Sequence, residues 1–268
     1  VSELTVGIAG LGAIGVALAR ALLDGNLPGM TLAAVAVRDP ASVAARLGRA
    51  EIPAVDFAEL AARCEIVIEC LPRAQFRAVA EPAIERARTF VPLSVGALLE
   101  EGDLIDRARA TGARILVPTG ALLGLDAVRA AAEGTIDSVT MITRKPPQGL
   151  LGAPYLIEHN ISLDGLVEPL RVFSGSARDG ARGFPANVNV AAALSLAGIG
   201  PDKTRLEIWA DPAVTRNTHR IVVEADSARL TMMIENVPTE SNPKTGRITA
   251  LSAIALLRGI TAPLRVGS

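Results

Sequence analysis

The chain has 268 residues, 50% of them apolar and 21% charged, with a formal net charge of −1. At this length about 70% of the unfolded chain's surface can be buried, enough for one large core or two modest ones, and the composition excludes a disordered chain. The balanced charge argues against a nucleic-acid partner. Two cysteines, Cys64 and Cys70, and two histidines, His159 and His219, exclude a disulfide framework, a four-ligand zinc site and a histidine-rich metal site.

No apolar run reaches the roughly 18 residues of a membrane span. Val1-Ser2-Glu3 begins no basic leader with an apolar stretch behind it. The expectation is a soluble protein of a reducing, cytoplasmic compartment, with no membrane partner.

Residues 4–9 form a short apolar run closed by glycines, which predicts a buried strand. A helix is expected over 14–23, a second strand over 32–37, and a helix over 41–47. A third strand at 64–70 stops at Pro72. A helix over 76–87, a strand over 90–95, a helix over 98–110 and a strand over 114–117 follow. Strands alternating with helices across short connections predict a doubly wound parallel sheet covered on both faces.

Beyond Pro118 the pattern changes. A helix at 125–132 precedes a strand at 138–144, and Pro146-Pro147-Gln148-Gly149 then breaks the chain. Residues 150–170 show no clean period. A short strand at 170–173, a helix from Ser176 towards Gly183 and another over 187–196 come next. Strands at 205–210, 219–225 and 228–234 have no helix between them and read as antiparallel neighbours. A final helix at 247–258 aligns Ile248, Leu251, Ile254 and Ala255 on one face. The expected fold is α/β: a Rossmann domain over 1–121, rejoined by a helix within 245–268, and an α+β substrate and dimerisation domain over 122–244.

Gly10-Leu-Gly-Ala-Ile-Gly15 ends the first strand and opens the first helix. Gly10 suits the tight turn, Gly12 lets backbone approach a pyrophosphate, and Gly15 lets helix and strand pack closely. The phosphates then meet the unpaired N–H groups of Ala13, Ile14 and Gly15. The second strand ends at Arg38-Asp39. Asp39 can accept from a ribose 2′-hydroxyl, as in NAD, and Arg38 can pair with a 2′-phosphate, as in NADP. Both cofactors stay open, and Asp39-Pro40 can equally cap the next helix.

A nicotinamide enzyme acting on an alcohol or amine needs a group for the substrate proton, and histidine titrates near neutrality. His159 lies in a segment without period and reads as a solvated loop residue. His219 begins an apolar strand, with Asn217, Ile221 and Val223 on its face. Position alone leaves it a catalytic base or a hydrogen-bonded residue at the rim of a core. Asn187 and Asn189 open a helix, where either can cap it or its N–H groups can meet a ligand. Ala121 lies just past the fifth strand's carboxyl end, where ligands of such sheets sit.

These pieces together resemble the L-aspartate dehydrogenase family. The matching runs are Gly10-Leu-Gly-Ala-Ile-Gly15, Leu93-Ser-Val-Gly-Ala-Leu98, Pro118-Thr-Gly-Ala121, Arg144-Lys-Pro-Pro147 and Ser174-Gly-Ser-Ala177. They continue with Asn187-Val-Asn-Val-Ala-Ala192, Leu196-Ala-Gly198, Asp211-Pro212, Asn217-Thr-His219 and Asn242-Pro-Lys-Thr245. They span nearly the whole chain in the family's order. The first run is generic to dehydrogenases, and the asparagine-rich runs are more specific as a set.

The resemblance implies NAD(P)-dependent oxidative deamination of L-aspartate. The product, iminoaspartate, hydrolyses to oxaloacetate and ammonia or feeds quinolinate and NAD biosynthesis. It implies His219 as the active-site histidine and Ala121 and Asn189 as cofactor contacts, with His219 carried to an interdomain cleft. Two substrate carboxylates need cationic or N–H partners. Arg144, Lys145 and Lys244 are candidates, with Ser174 and Asn187 as further polar contacts. A homodimer is expected from the resemblance and from the general preference for two-fold symmetry. The rivals are a homoserine-dehydrogenase-like enzyme or imine reductase acting on another small amino acid, and a nucleotide-sensing protein without turnover.

Overall fold

The computed structural model describes residues 3–49, 51–185, 188–239 and 246–267. The chain divides into two compact units, Val1–Pro118 with Thr249–Arg265, and Thr119–Ile248 with Val266–Ser268. The division falls after Pro118 rather than Ala121, and the returning segment is 249–265 rather than 245–268.

In the first unit, β1 (Leu4–Ala9) leads through α1 (Ala13–Leu23) to β2 (Met30–Ala36). Helices α2 (Ser42–Leu47) and α3 (Phe57–Arg63) precede β3 (Ile66–Glu69). Then come α4 (Phe76–Glu85), β4 (Thr89–Pro92), α5 (Asp103–Thr111) and β5 (Arg114–Ile115). The sheet order is β2-β1-β3-β4-β5 and every pairing is parallel. The strands are rich in Val, Ile and Leu because both faces are covered, and Val6, Ile8, Val35, Ile68 and Val91 are fully buried. Strand order reverses between β1 and β3, so the ligand crevice of such a sheet opens at the carboxyl ends of those two strands.

Two local expectations change. The helix expected over 98–110 is a 3-10 turn at Val95–Leu99 followed by α5, with Gly102 capping the new start. Helix α3 was not foreseen, although Asp56 caps it by accepting from the Glu59 N–H at 2.8 Å.

In the second unit, α6 (Leu125–Ala132) precedes β6 (Ile136–Lys145). Helix α7 (Pro154–Glu158), strand β7 (Leu170–Ser176), helices α8 (Ala177–Gly183) and α9 (Asn189–Ala197), and strands β8 (Arg205–Ala210), β9 (Asn217–Ala225) and β10 (Arg229–Asn236) follow. The sheet order is β10-β9-β6-β8-β7. Strands β9 and β10 form the expected antiparallel pair. Strand β8 does not lie beside β9: β6 separates them, antiparallel to β9 and parallel to β8. The long connection from β6 through α7, α8 and α9 supplies the crossover that a parallel pair needs.

Helix α10 (Arg247–Thr261) closes the chain. Its start is tied to the second unit, where the Arg247 N–H donates to the Val237 carbonyl at 2.8 Å. From Thr249 it belongs to the first unit, where Ala253 and Leu257 are fully buried in the core with Leu18 and Leu22. The expected face is therefore wrong in part. Ile254 packs inward, but Leu251 is 60% exposed and Ile248 is also exposed. A helix with apolar residues on several sides does not reveal by spacing alone which stripe is buried.

Candidate active site

The glycine turn of the first unit is built by close approach. Gly10 has φ +96°, and a Cβ there would lie 2.6 Å from the Cys70 carbonyl at the end of β3. A Cβ on Gly15 would stand 1.9 Å from the Gly10 carbonyl oxygen. Gly12 differs: it is the N-cap of α1 in extended backbone, and among the described residues no side chain caps the helix there and nothing lies within 4 Å of its Cβ position. Two glycines thus hold the turn tight while the third leaves open space above the N–H groups of Ala13, Ile14 and Gly15. That arrangement fits a pyrophosphate. Arg46 of α2 fixes the outside of the turn, its Nη1 donating to the Leu11 carbonyl at 2.6 Å.

Arg38 and Asp39 are both exposed just beyond β2. Asp39 Oδ1 accepts from the Ala41 N–H at 3.1 Å, and its carbonyl accepts from Ser42 Oγ at 2.6 Å, so the turn-forming role is present. Among the described residues, Oδ2 of Asp39 has no hydrogen bond and stays available to a ribose hydroxyl.

Glu69, at the end of β3, was not singled out from the sequence. It is fully buried, with Oε1 accepting from the Leu71 N–H at 2.7 Å and Oε2 from the Ser94 N–H at 3.0 Å. Burial pushes its carboxyl pKa up, and those N–H donors hold it partly back. It ties together the loops after β3 and β4 at the sheet's ligand-binding edge. An acid ending an otherwise apolar parallel strand was the available signal.

The second unit gathers polar side chains at one end of an otherwise apolar sheet face. The pleat of β6 turns Val139, Met141, Thr143 and Lys145 to the buried side. In register with them on β9 stand Val223, Ile221 and His219. His219 is directly opposite Thr143, and its Nδ1 lies 3.1 Å from Thr143 Oγ1. The imidazole is 3% exposed, so it is a buried residue rather than one at the rim. Its pKa is pushed down from 6.5 to about 3, first by burial and then by the Lys145 charge. It is therefore neutral at ordinary pH. With Nδ1–H donated to Thr143, Nε2 keeps its lone pair and can take a proton.

Lys145 is itself buried at 5% exposure, and its carbonyl accepts from the Asp211 N–H at 2.8 Å. Its neighbour Arg144 points to the other face of the sheet. There it binds Asp211 Oδ2 at 2.9 Å and stacks 4.8 Å from the centre of the Trp209 ring. Arg144 is committed to that structure and does not join the polar corner.

The remaining candidates divide. Ala121 is half-buried and its carbonyl accepts from Asn236 Nδ2 at 3.1 Å. Asn189 is exposed as the first residue of α9, whose N-cap is Val188 with no side-chain cap. Asn187 and Lys244 lie outside the described residues. Ser174 is exposed on the edge strand β7 opposite Glu207, which puts it on the sheet face away from His219. The structure does not bring Ser174 to the corner, because one step along a pleated strand reverses the face. Ser176 caps α8 by accepting from the Asp179 N–H at 3.1 Å. His159 is exposed, bonded through Nδ1 to the Tyr155 carbonyl at 2.9 Å and stacked on the Tyr155 ring, so its role is local.

A family model described as the C-terminal part of aspartate dehydrogenase matches residues 126–260, and one described as the NAD-binding domain of homoserine dehydrogenase matches residues 10–118. The L-aspartate dehydrogenase of Bradyrhizobium diazoefficiens is 59% identical over 269 residues, covering 100% of this chain and 95% of its own. L-aspartate dehydrogenase 3 of Bordetella bronchiseptica is 57% identical, covering 99% of this chain and 98% of its own. A crystal structure of aspartate dehydrogenase from Thermotoga maritima matches 99% of this chain and 100% of that one with a TM-score of 0.74 at 24% identity, a likeness of fold. A homoserine dehydrogenase from Thiobacillus denitrificans matches 98% of this chain and 75% of its own at a TM-score of 0.61 and 14% identity. The homoserine-type model meets the first unit, whereas the unit holding His219 matches the aspartate dehydrogenase model. The chain belongs to the L-aspartate dehydrogenase family.

Proposed function

We propose that this enzyme oxidises L-aspartate to iminoaspartate, with His219 as the base and a nicotinamide dinucleotide as the hydride acceptor. The relatives' names support the substrate. A buried, neutral imidazole held at Nδ1 by Thr143 and set beside Lys145 carries the assignment of roles.

The glycine turn from Gly10 to Gly15 is proposed to hold the cofactor's pyrophosphate, and Asp39 with Arg38 to meet its adenosine ribose. Ala121 and Asn189 are proposed as further cofactor contacts. When bound, the nicotinamide supplies the acceptor for the hydride that leaves Cα. The chain's own residues manage the rest. L-Aspartate arrives as an α-ammonium, which must lose a proton before the C–H bond can break. His219 Nε2 takes that proton once a substrate carboxylate offsets the Lys145 charge that helps hold its pKa down, and Thr143, accepting from Nδ1–H, orients the ring for it. The buried Lys145 ammonium is the proposed partner of a substrate carboxylate, where low dielectric strengthens the pair. After hydride loss, and once Nε2 has passed its proton to solvent, the same imidazole can take a proton from water attacking the imine carbon, and the resulting carbinolamine collapses to oxaloacetate and ammonia. In another course iminoaspartate leaves intact and feeds nicotinamide-nucleotide biosynthesis.

We infer that both NAD and NADP can be accommodated, since an acceptor for a 2′-hydroxyl and a cation for a 2′-phosphate stand side by side. A homodimer is proposed on the second sheet's outward face, where Met233 is 56% exposed. A steady-state panel of amino acids with each cofactor tests the substrate. L-Aspartate is expected to drive cofactor reduction and L-homoserine is not. Turnover of homoserine alone, or tight cofactor binding with no turnover of any amino acid, overturns the proposal.

A further inference from the structure

Strand register around His219 defines a small polar grid. Its inner row runs across three strands as Thr143, His219 and Ile234. Two residues further towards the sheet's end, Asn236 of β10 pairs with Asn217 of β9, and carrying the β6–β9 register one step past the Arg144–Thr218 pair sets Lys145 beside Asn217. Lys145 and Asn236 are thus both diagonal neighbours of His219, on opposite flanks and on the same buried face. Diagonal positions lie about 7–8 Å apart, within reach of one small molecule between them.

Asn236 is 4% exposed. Its Nδ2 donates to the Ala121 carbonyl at 3.1 Å, and this fixes the orientation of the carboxamide, since the reverse would set two oxygens against each other. Among the described residues its Oδ1 is buried with no hydrogen-bond partner. An unpaired buried carbonyl is costly and calls for a donor. The two carboxylates of L-aspartate are acceptors only. Its α-amino group is its hydrogen-bond donor and must lie within reach of His219.

Resting on the proposed role of His219, we propose that Asn236 is a specificity-determining residue whose Oδ1 accepts an N–H of the substrate's α-amino group. Lys145 then holds a carboxylate on the other flank. The corner reads an amino dicarboxylate by its amine as well as by its charge. The Nδ2 bond to Ala121 keeps Oδ1 turned to the amine.

The test compares L-aspartate with succinate, the same dicarboxylate skeleton without the amine. Asn236→Ala is expected to raise the KM for L-aspartate about 10–100-fold. The inhibition constant of succinate and the Kd of NADH are expected to stay within about threefold. Parallel weakening of aspartate and succinate, or an unchanged aspartate KM, overturns the inference. If Asn236→Ala does not melt cooperatively, Asn236→Leu serves. It keeps the side chain's volume and removes the acceptor, so preference for aspartate over succinate must fall, and an unchanged or higher preference overturns the inference. His219→Ala in the same assay separates the two levels. If it abolishes wild-type aspartate turnover while the Asn236 variants leave the preference unmoved, this inference alone fails. If the wild-type enzyme does not turn over L-aspartate, both fail.

Discussion

Two alanine substitutions one helical turn apart are expected to fail in different ways. At Gly15 the added Cβ would sit 1.9 Å from the Gly10 carbonyl oxygen, where such contacts do not fall below 3.0 Å. The turn and α1 must therefore part by more than 1 Å. Leu18 and Ala19, fully buried, and Leu22, nearly so, lock the helix to the sheet, so the strain spreads into the core. Overpacking of this kind costs about 1–3 kcal/mol, and more against rigid backbone. For a chain of this size that lowers Tm by roughly 5–10 °C. At Gly12 the new methyl meets open space, the backbone is extended, and the loss of glycine at an N-cap is offset by a stiffer unfolded chain. Gly12→Ala should leave Tm within about 2 °C of wild type, yet weaken NADH by about 10-fold or more, because the methyl occupies the space assigned to the pyrophosphate. Differential scanning calorimetry and isothermal titration with NADH read the two effects separately. Unchanged NADH affinity in Gly12→Ala, with Tm preserved, refutes the assignment of that space to the cofactor.

Further expectations concern the polar corner and the ribose site. Thr143→Val removes the partner of His219 Nδ1 but keeps the β-branched shape; kcat should fall about 10-fold with KM for L-aspartate nearly kept, and equal losses in both would contradict a positioning role. Because His219 stays neutral down to about pH 3 when folded and takes a proton near 6.5 when unfolded, it stabilises the fold above pH 6.5, and that contribution is lost as pH falls towards 3. The loss is about 1.4 kcal/mol per pH unit, roughly 2–3 kcal/mol by about pH 4.5. Urea unfolding of wild type against His219→Phe checks it, since the variant's slope should be shallower and an identical slope refutes the neutral buried state. Arg38→Ala should weaken NADPH by about 10-fold while leaving NADH nearly unchanged, and equal effects on both would remove Arg38 from the 2′-phosphate site.

The first unit was legible because each of its signals is local. A strand, a glycine turn and a helix lie within twenty residues, and the apolar runs of a parallel sheet stand out from their neighbours. Helix α3 escaped because its seven residues follow an Asp cap rather than a long period. The second unit was harder. His219 could be placed on a strand with Asn217 beside it, but its partner Thr143 lies 76 positions away and arrives only through the β6–β9 register. The same long-range pairing put β6 between β8 and β9, which local spacing cannot reveal. Lys145 and Arg144 look alike in sequence as cations of one motif, and the pleat sends one to the buried corner and the other to Asp211. Ser174 was separated from the corner by the same rule. Asn236 carried no sequence signal, since its meaning lies in a buried carbonyl oxygen, without a partner among the described residues, that only a folded sheet creates.

His219 is the residue on which the proposed chemistry turns, and one comparison reaches it directly: steady-state oxidation of saturating L-aspartate by wild type and by His219→Ala, with the Kd of NADH measured on the same samples. Loss of a positioned general base predicts a fall in kcat of about 10²-fold or more with NADH affinity within about threefold of wild type. Turnover that survives the substitution at the wild-type rate would contradict it.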